Sequence, residues 1–314
     1  MSTNPMRSVR PSRRAVLRSG LALVASPYVA RGSAREEPEG QRLVLLHLSG
    51  GNDGLNTVIP YSDPMYSELR PRLGRVARHV IPIDRALGLH PALAKLARVF
   101  EAGDLAIIQG VGLPEPDYSH VGSVRMWARR LAWTAGPQVA LCATGGEPWP
   151  VKPADYVPGR IAKAFEEIGR ALDEADGPAV IRATVGGFDT HADQLDRHEC
   201  VLRELDNALA EFHRALRASD RARRVILIAW SEFGRRPAEN ASGGSDHGWA
   251  GPVFVLGPAI RGGLYGRPPS LTETDFGNLI PTVELGTVCR ALAAGWLGLR
   301  LPATDGCRGT LSIL

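Results

Sequence analysis

Short apolar runs recur along this chain and alternate with stretches of helical period. Leu43–Leu48 (LVLLHL), Leu105–Gln109 (LAIIQ), Ala179–Val185 (AVIRATV), Val225–Trp230 (VILIAW) and Pro252–Leu256 (PVFVL) have strand length and are rich in branched or aromatic residues. Val225–Trp230 is apolar on both faces, which suits a strand covered on both sides. Between these runs, Leu93, Leu96, Ala97 and Phe100 repeat at helical spacing inside Pro91–Gly103, with proline in the first turn and glycine as the stop. The same period predicts helices over Val121–Arg130, Arg160–Ala175, Gln194–Leu216 and within Gly277–Leu297. Strands alternating with helices predict an α/β domain built on a mainly parallel central sheet with helices on both faces. No period points to a solenoid or propeller. Residues 131–157 are irregular, broken by glycines and prolines, and carry no motif.

Polar chemistry gathers where the apolar runs end. Ser49-Gly50-Gly51-Asn52-Asp53-Gly54 follows the first run, and Gly186-Gly187-Phe188-Asp189-Thr190-His191 follows the third. Ser231-Glu232-Phe233-Gly234-Arg235 follows Trp230, and Ser245-Asp246-His247-Gly248 comes shortly after. Ser119-His120 ends a proline-containing loop behind Leu105–Gln109. The first glycine loop lacks GxGxxG spacing, and Asp53 would repel a phosphate, so a dinucleotide-binding reading fails. The alternatives left there are a plain Asn-Asp-Gly turn or a tight loop that presents Asp53 as a ligand. Ser119 has a full explanation as the cap of the following helix; the other reading is a nucleophile at a helix N-terminus. His198 lies on the long fourth helix and has only an outside claim to be a ligand.

Parallel strands place such loops at one sheet edge, where open α/β sheets bind ligands. The mixed carboxylate and imidazole set suits zinc or manganese better than calcium or magnesium. Arg235 and Arg236 are either anion-holding groups or a solvated pair.

Charge changes the picture at one end only. The formal net charge is +4, yet the first 34 residues contain six arginines and no lysine or acid, so the remainder is net acidic. Nucleic-acid binding therefore gains no support from the basic pI. The leader, residues 1–34, carries Ser12-Arg13-Arg14-Ala15-Val16-Leu17-Arg18, which resembles a twin-arginine box, then a weak apolar stretch and the small residues Gly32-Ser33-Ala34. It reads as an export signal that precedes a single domain over 35–314. That implies engagement of the twin-arginine translocation machinery, a periplasmic or secreted product, and no stable membrane anchor. Four scattered cysteines lack any CxxC pair; Cys289 and Cys307 are candidates for a disulfide if the product is exported.

LVLLHLSGGNDGLNTVIPY, the Ser119-His120 pair, GGFDTHADQ, WSEFGRRPAENASGGSDHG and GGLYG together resemble the bacterial family of domain of unknown function 1501, from about residue 42 to 270. That family is similar to the alkaline phosphatase and sulfatase superfamily. The resemblance implies Asp53 as ligand of one metal, Asp189 and His191 as ligands of another, and Glu232 and His247 completing the set. It places Ser119 near the nucleophile position with His120 beside it as catalytic candidates, and Asn52 and Arg235 as substrate-binding candidates. Phe233 stands where the superfamily has a metal-binding histidine, and the middle of the chain is shorter than the family pattern. The expected function is an exported metal-dependent hydrolase of a small anionic phosphate or sulfate ester. The alternative is a catalytically inactive member of the same fold that serves as a periplasmic binding or assembly protein.

Overall fold

A computed structural model describes residues 40–113, 118–131, 139–143, 155–298 and 311–314, with backbone only for 139–143. The leader and Cys307 lie outside these residues, as does most of the irregular middle segment. Five strands run the same way in the central sheet: β1 (Arg42–Leu48), β2 (Leu105–Gly112), β3 (Val139–Ala143), β4 (Val180–Val185) and β5 (Val225–Trp230). A hairpin of β6 (Arg235–Glu239) and β7 (Ser245–His247) follows β5, and β8 (Gly251–Leu256) then inserts antiparallel between β5 and β2. The short strands β9 (Gly263–Tyr265) and β10 (Val283–Glu284) add in parallel to β2. The spatial order is β9-β2-β8-β5-β1-β4-β3, a mixed sheet with a mostly parallel core.

The one departure in direction has a local cause. β5 and β8 are joined by a hairpin instead of a crossover helix, so the chain returns antiparallel. The start of β8 therefore lies at the same sheet edge as the ends of β1, β2, β4 and β5. His247, just before that start, arrives there too.

Side-chain alternation splits the core in two. Val44, Leu46, Leu48, Ile107, Ile181, Val185 and Leu227 face one side and pack against α3 (Ala94–Glu101), α5 (Arg160–Asp173) and α6 (Gln194–Arg217). Leu43, Leu45, Ala106, Ile108, Ile226 and Ile228 face the other side. They meet Trp127 of α4 (His120–Arg130), Leu285 and Val288 of α7 (Leu285–Arg290), and Trp296 of the π-turn that follows. The helices thus cover both faces. Two short helices, α1 (Gly54–Thr57) and α2 (Pro64–Leu69), sit beside a small antiparallel sheet of Val58–Ile59, Ile81–Pro82 and Gly88–Leu89. Among the described residues no helix is long and apolar enough to cross a membrane.

α3 begins without a side-chain cap of its own. Asp206 of α6 supplies one from outside, accepting from Leu96 N at 2.7 Å and Lys95 N at 3.2 Å. His213, farther along α6, is buried against Asp104 at 2.6 Å, which accounts for it as a core histidine. Asp206→Ala should cost about 1–2 kcal/mol of stability in urea unfolding, and Asp206→Asn clearly less. Equal stability of wild type and Asp206→Ala would show that the borrowed cap does not hold the helix start.

Candidate functional site

The loops after β1, β4 and β5 meet at the sheet edge because glycine lets them. Gly50 and Gly51 have positive φ (123° and 72°), and a Cβ on either would fall 2.3 Å from Asp189 N or 2.2 Å from the Phe233 ring. With that crowding relieved, Asp189, Glu232 and Phe233 approach the β1 loop closely.

Glu232 lies at the centre, 2 % exposed. Its Oε1 accepts from Gly50 N at 2.9 Å and faces His120 Nδ1 at 2.7 Å; its Oε2 faces His47 Nε2 at 3.0 Å and Ser231 Oγ at 3.1 Å. Burial opposes the charge on Glu232, but His47 and His120 outweigh it and hold the carboxyl well below the usual range. Both oxygens are committed, and Glu232 braces His120 and His47. The charged carboxylate faces a proton on His120 Nδ1, and Nε2 points the other way, where a cation would displace its proton.

That Nε2 points toward Asp189, whose Oδ2 is 3.6 Å distant. On the other side of Asp189, His247 Nε2 is 3.4 Å from Oδ1, and His247 Nδ1 is 2.9 Å from the carbonyl of Tyr118. The carbonyl can only accept, so Nδ1 carries a proton and Nε2 is the atom turned toward Asp189. The ligand atoms of His120, Asp189 and His247 all lie within 4.8 Å of one another. Donors about 2.0–2.2 Å from a tetrahedral zinc stand roughly 3.3–3.6 Å apart, close to the two Nε2-to-carboxylate distances of 3.6 and 3.4 Å. Each ligand has an outer partner: Glu232 for His120, the Tyr118 carbonyl for His247, and Arg235 for Asp189 at 2.7 Å. Burial opposes the charge on Asp189, yet hydrogen bonds from His120, His247 and Arg235 hold its carboxyl far below the usual range. Burial likewise opposes the charge on His120, and its bonds to Asp189 and Glu232 raise it to about 9.

His191 stands beside the trio, with Nε2 2.8 Å from His247 Nε2 and 3.0 Å from Asp189 Oδ1. Its side chain is 43 % exposed, and burial together with Arg235 pushes its pKa down. Phe233 packs between the ligands, its ring 4.9 Å from that of His120 and 4.4 Å from that of His247. It fills space there without offering a donor. Ser119 caps α4, its Oγ accepting from Gly122 N at 3.3 Å, and remains exposed next to His120.

Three residues expected in the site have other tasks. Asp53 is fully buried and caps α1 through Leu55 N and Asn56 N; its other oxygen pairs with Arg70 Nη1 at 2.6 Å and accepts from Gln194. Those partners take up its oxygens, so it is not placed to bind a metal. Asn52 is buried, bonded to Thr57 and to His198 Nε2 at 2.9 Å. That contact also explains His198, which burial pushes down to about 3. Arg235 has no exposed side-chain surface and donates to the carbonyls of Gly50, Gly51, Phe188 and Ser245. It braces the loops and is not available to a free anion. Reading the sequence missed His47 and Arg70; a lone histidine inside LVLLHL was the available signal for the first, and nothing local marks the second.

Residues 168–305 match the family model described as "Protein of unknown function (DUF1501)". Over that stretch the chain matches the family its motifs resemble, with Asp189, His191, Glu232 and His247 inside the match and Asp53 and His120 outside it. No curated protein matches. Among solved structures, the chain is similar to the C-terminal periplasmic domain of EcEptC from Escherichia coli in complex with Zn, at 9 % identity and TM-score 0.48, covering 85 % of each chain. It is also similar to a phosphonate monoester hydrolase of Agrobacterium radiobacter, at 8 % identity and TM-score 0.46, covering 83 % of this chain and 74 % of that one. Murine ectonucleotide pyrophosphatase/phosphodiesterase 5 in complex with AMP is a third, at 10 % identity and TM-score 0.45, covering 85 % of this chain and 97 % of that one. Likenesses of that size carry no inference about chemistry.

The depressed Asp53 carboxyl gives a direct test of its structural role. Burial opposes its charge, but Arg70 and its other partners lower it from 3.8 to about 2. Its stabilising contribution is therefore complete at neutral pH and is lost as pH falls from about 4 toward 2. Asp53→Asn should cost on the order of 2 kcal/mol at neutral pH, with the gap to wild type narrowing on acidification. Urea unfolding across that window checks this, and a gap independent of pH would contradict it.

Proposed function

We propose that the protein is an exported, metal-dependent hydrolase of phosphate or sulfate esters. The observation that carries this reading is the trio of His120, Asp189 and His247, with both histidines holding Nε2 toward the same carboxylate. Two imidazoles and one carboxylate, each braced by an outer partner, fit zinc or manganese. A bound ion would supply Lewis-acid chemistry and ready activation of water or a hydroxyl.

The chain's own residues supply the rest. Glu232 and the Tyr118 carbonyl fix the tautomers of His120 and His247, and Arg235 orients Asp189. His191 is the exposed group nearest the trio, placed to exchange a proton with a leaving oxygen or to complete the ligand set. Ser119, one residue before His120 at the start of α4, is the hydroxyl a covalent route would use. The leader and the twin-arginine machinery it resembles a substrate for belong to the same reading. So does a periplasmic or secreted product that binds neither nucleic acid nor a membrane anchor.

Two specific observations favour a second reading, a non-catalytic binding or assembly protein on the same fold. Phe233 fills the space between the ligands, and Asp53 is committed to Arg70. Neither leaves a second metal site among the described residues.

Metal analysis separates these. Protein from metal-replete medium should hold about one equivalent of zinc or manganese per chain. Asp189→Ala and His247→Ala should lose it, Asp53→Asn should keep it, and Glu232→Gln should weaken binding roughly 10–100-fold. Loaded protein should cleave generic phosphate or sulfate esters, and Ser119→Ala should abolish turnover only if attack is covalent. Metal retained by Asp189→Ala would remove the trio from the account; metal held without turnover would leave the binding protein.

A further inference from the structure

Tyr118, Val157, Phe276 and Ile280 are exposed large apolar side chains among the described residues, and Tyr118 borders the trio through its own carbonyl. Tyr118 is 42 % exposed and its carbonyl holds His247; its hydroxyl accepts from Asn278 Nδ2 at 2.9 Å. Asn278 belongs to the tight turn joining Thr274–Asp275 to Asn278–Leu279, and its amide also reaches the carbonyls of Asp275 and Phe276. At the tip of that turn Phe276 is 86 % exposed, held at a φ of 47° that a phenylalanine rarely adopts. Ile280 follows on the same segment, 46 % exposed. Trp249 lies beside Tyr118, with ring centroids 6.3 Å apart, and its Nε1 is buried without a hydrogen-bond partner among the described residues. On the far side, Tyr156 packs against Gly187 two residues before Asp189, and exposed Val157 follows it.

A soluble surface normally disperses such side chains. Here one hydrogen-bonded path, Asn278 to Tyr118 to His247, ties the turn that carries Phe276 to the trio. Strained backbone that keeps an aromatic ring in water is retained where the ring has something to meet. From this we infer that the ester handled at the trio carries an apolar, ring-sized organic group, seated on Tyr118, Trp249, Phe276 and Ile280. The inference rests on the hydrolase reading above. It excludes sugar-like esters as the preferred class, since their hydroxyls would find mainly carbon on this lip. Contact between copies of the chain, the other use such a lip has, would leave the link to the metal ligand without a purpose.

The test uses two non-hydrolysable anions and the zinc-loaded full chain. Phenylphosphonate and methylphosphonate, titrated calorimetrically at a pH where both are dianions, share a headgroup and differ only in the organic group. Phenylphosphonate should bind about tenfold tighter, as expected for partial burial of one ring. Phe276→Ser, at an exposed turn where folding is not at stake, should remove most of that preference and leave methylphosphonate unchanged. Equal affinity for the two anions, or a preference untouched by Phe276→Ser, overturns the inference and leaves the hydrolase reading standing. Failure of both to bind overturns the hydrolase reading and this inference with it. Dimers in sedimentation velocity that Phe276→Ser dissociates, with anion binding unchanged, would assign the lip to contact between copies.

Discussion

A guanidinium with no solvent contact holds the site edge together. Arg235 sits at the start of β6 and donates to four carbonyls, two from the β1 loop, one from the β4 loop and one from β7, and to the Asp189 carboxylate. A buried charge is costly unless every donor is satisfied. Here it is satisfied only when the loops adopt one arrangement. That requirement converts three glycine-loosened segments into a fixed frame. A second buried pair, Asp53 with Arg70, repeats the device one layer below and ties α1 and α2 to the carbonyls of Arg236 and Pro237. The ligands are therefore presented by a scaffold of ionic bonds, and their own loops are short and irregular.

Much of this was legible in the chain. Val225–Trp230 could be read as a strand to the residue, and β1, β4 and the helices were found within a few positions, because burial on one or both faces imposes a period. The meeting of Asp189 and Glu232 at one edge follows from strand direction, and His247 arrives there through the β6–β7 hairpin. What could not be read was the division of labour among them. A carboxylate that binds a metal and one that orients a histidine have the same local sequence. Only the partners across the fold, His47 and Gly50 for Glu232 and Arg70 for Asp53, decide which is which. The direction of β8 was hidden for a related reason: the β6–β7 hairpin, read as loop, replaces the helix that would have made the connection parallel.

The resulting site differs from the expected two-metal arrangement in composition and in economy. In the proposed site His120, read as a catalytic candidate, would serve as a ligand, and Glu232, read as a ligand, would brace it. Phe233 lies against both histidine rings and makes their surroundings apolar, which strengthens the hold of a carboxylate on anything positive placed among them. The two cavities lining this region, bounded by Trp127, Ser231, Phe233 and their neighbours, have room for about one water each (≈ 10 Å³).

Anomalous diffraction from crystals of zinc-loaded protein, recorded on both sides of the zinc edge, tests the central claim most directly. The account predicts a single strong peak bounded by His120 Nε2, Asp189 and His247 Nε2, with Glu232 still bonded to the far nitrogen of His120. A peak at Asp53, an ion ligated by Glu232 itself, or no ordered zinc at this edge would contradict it.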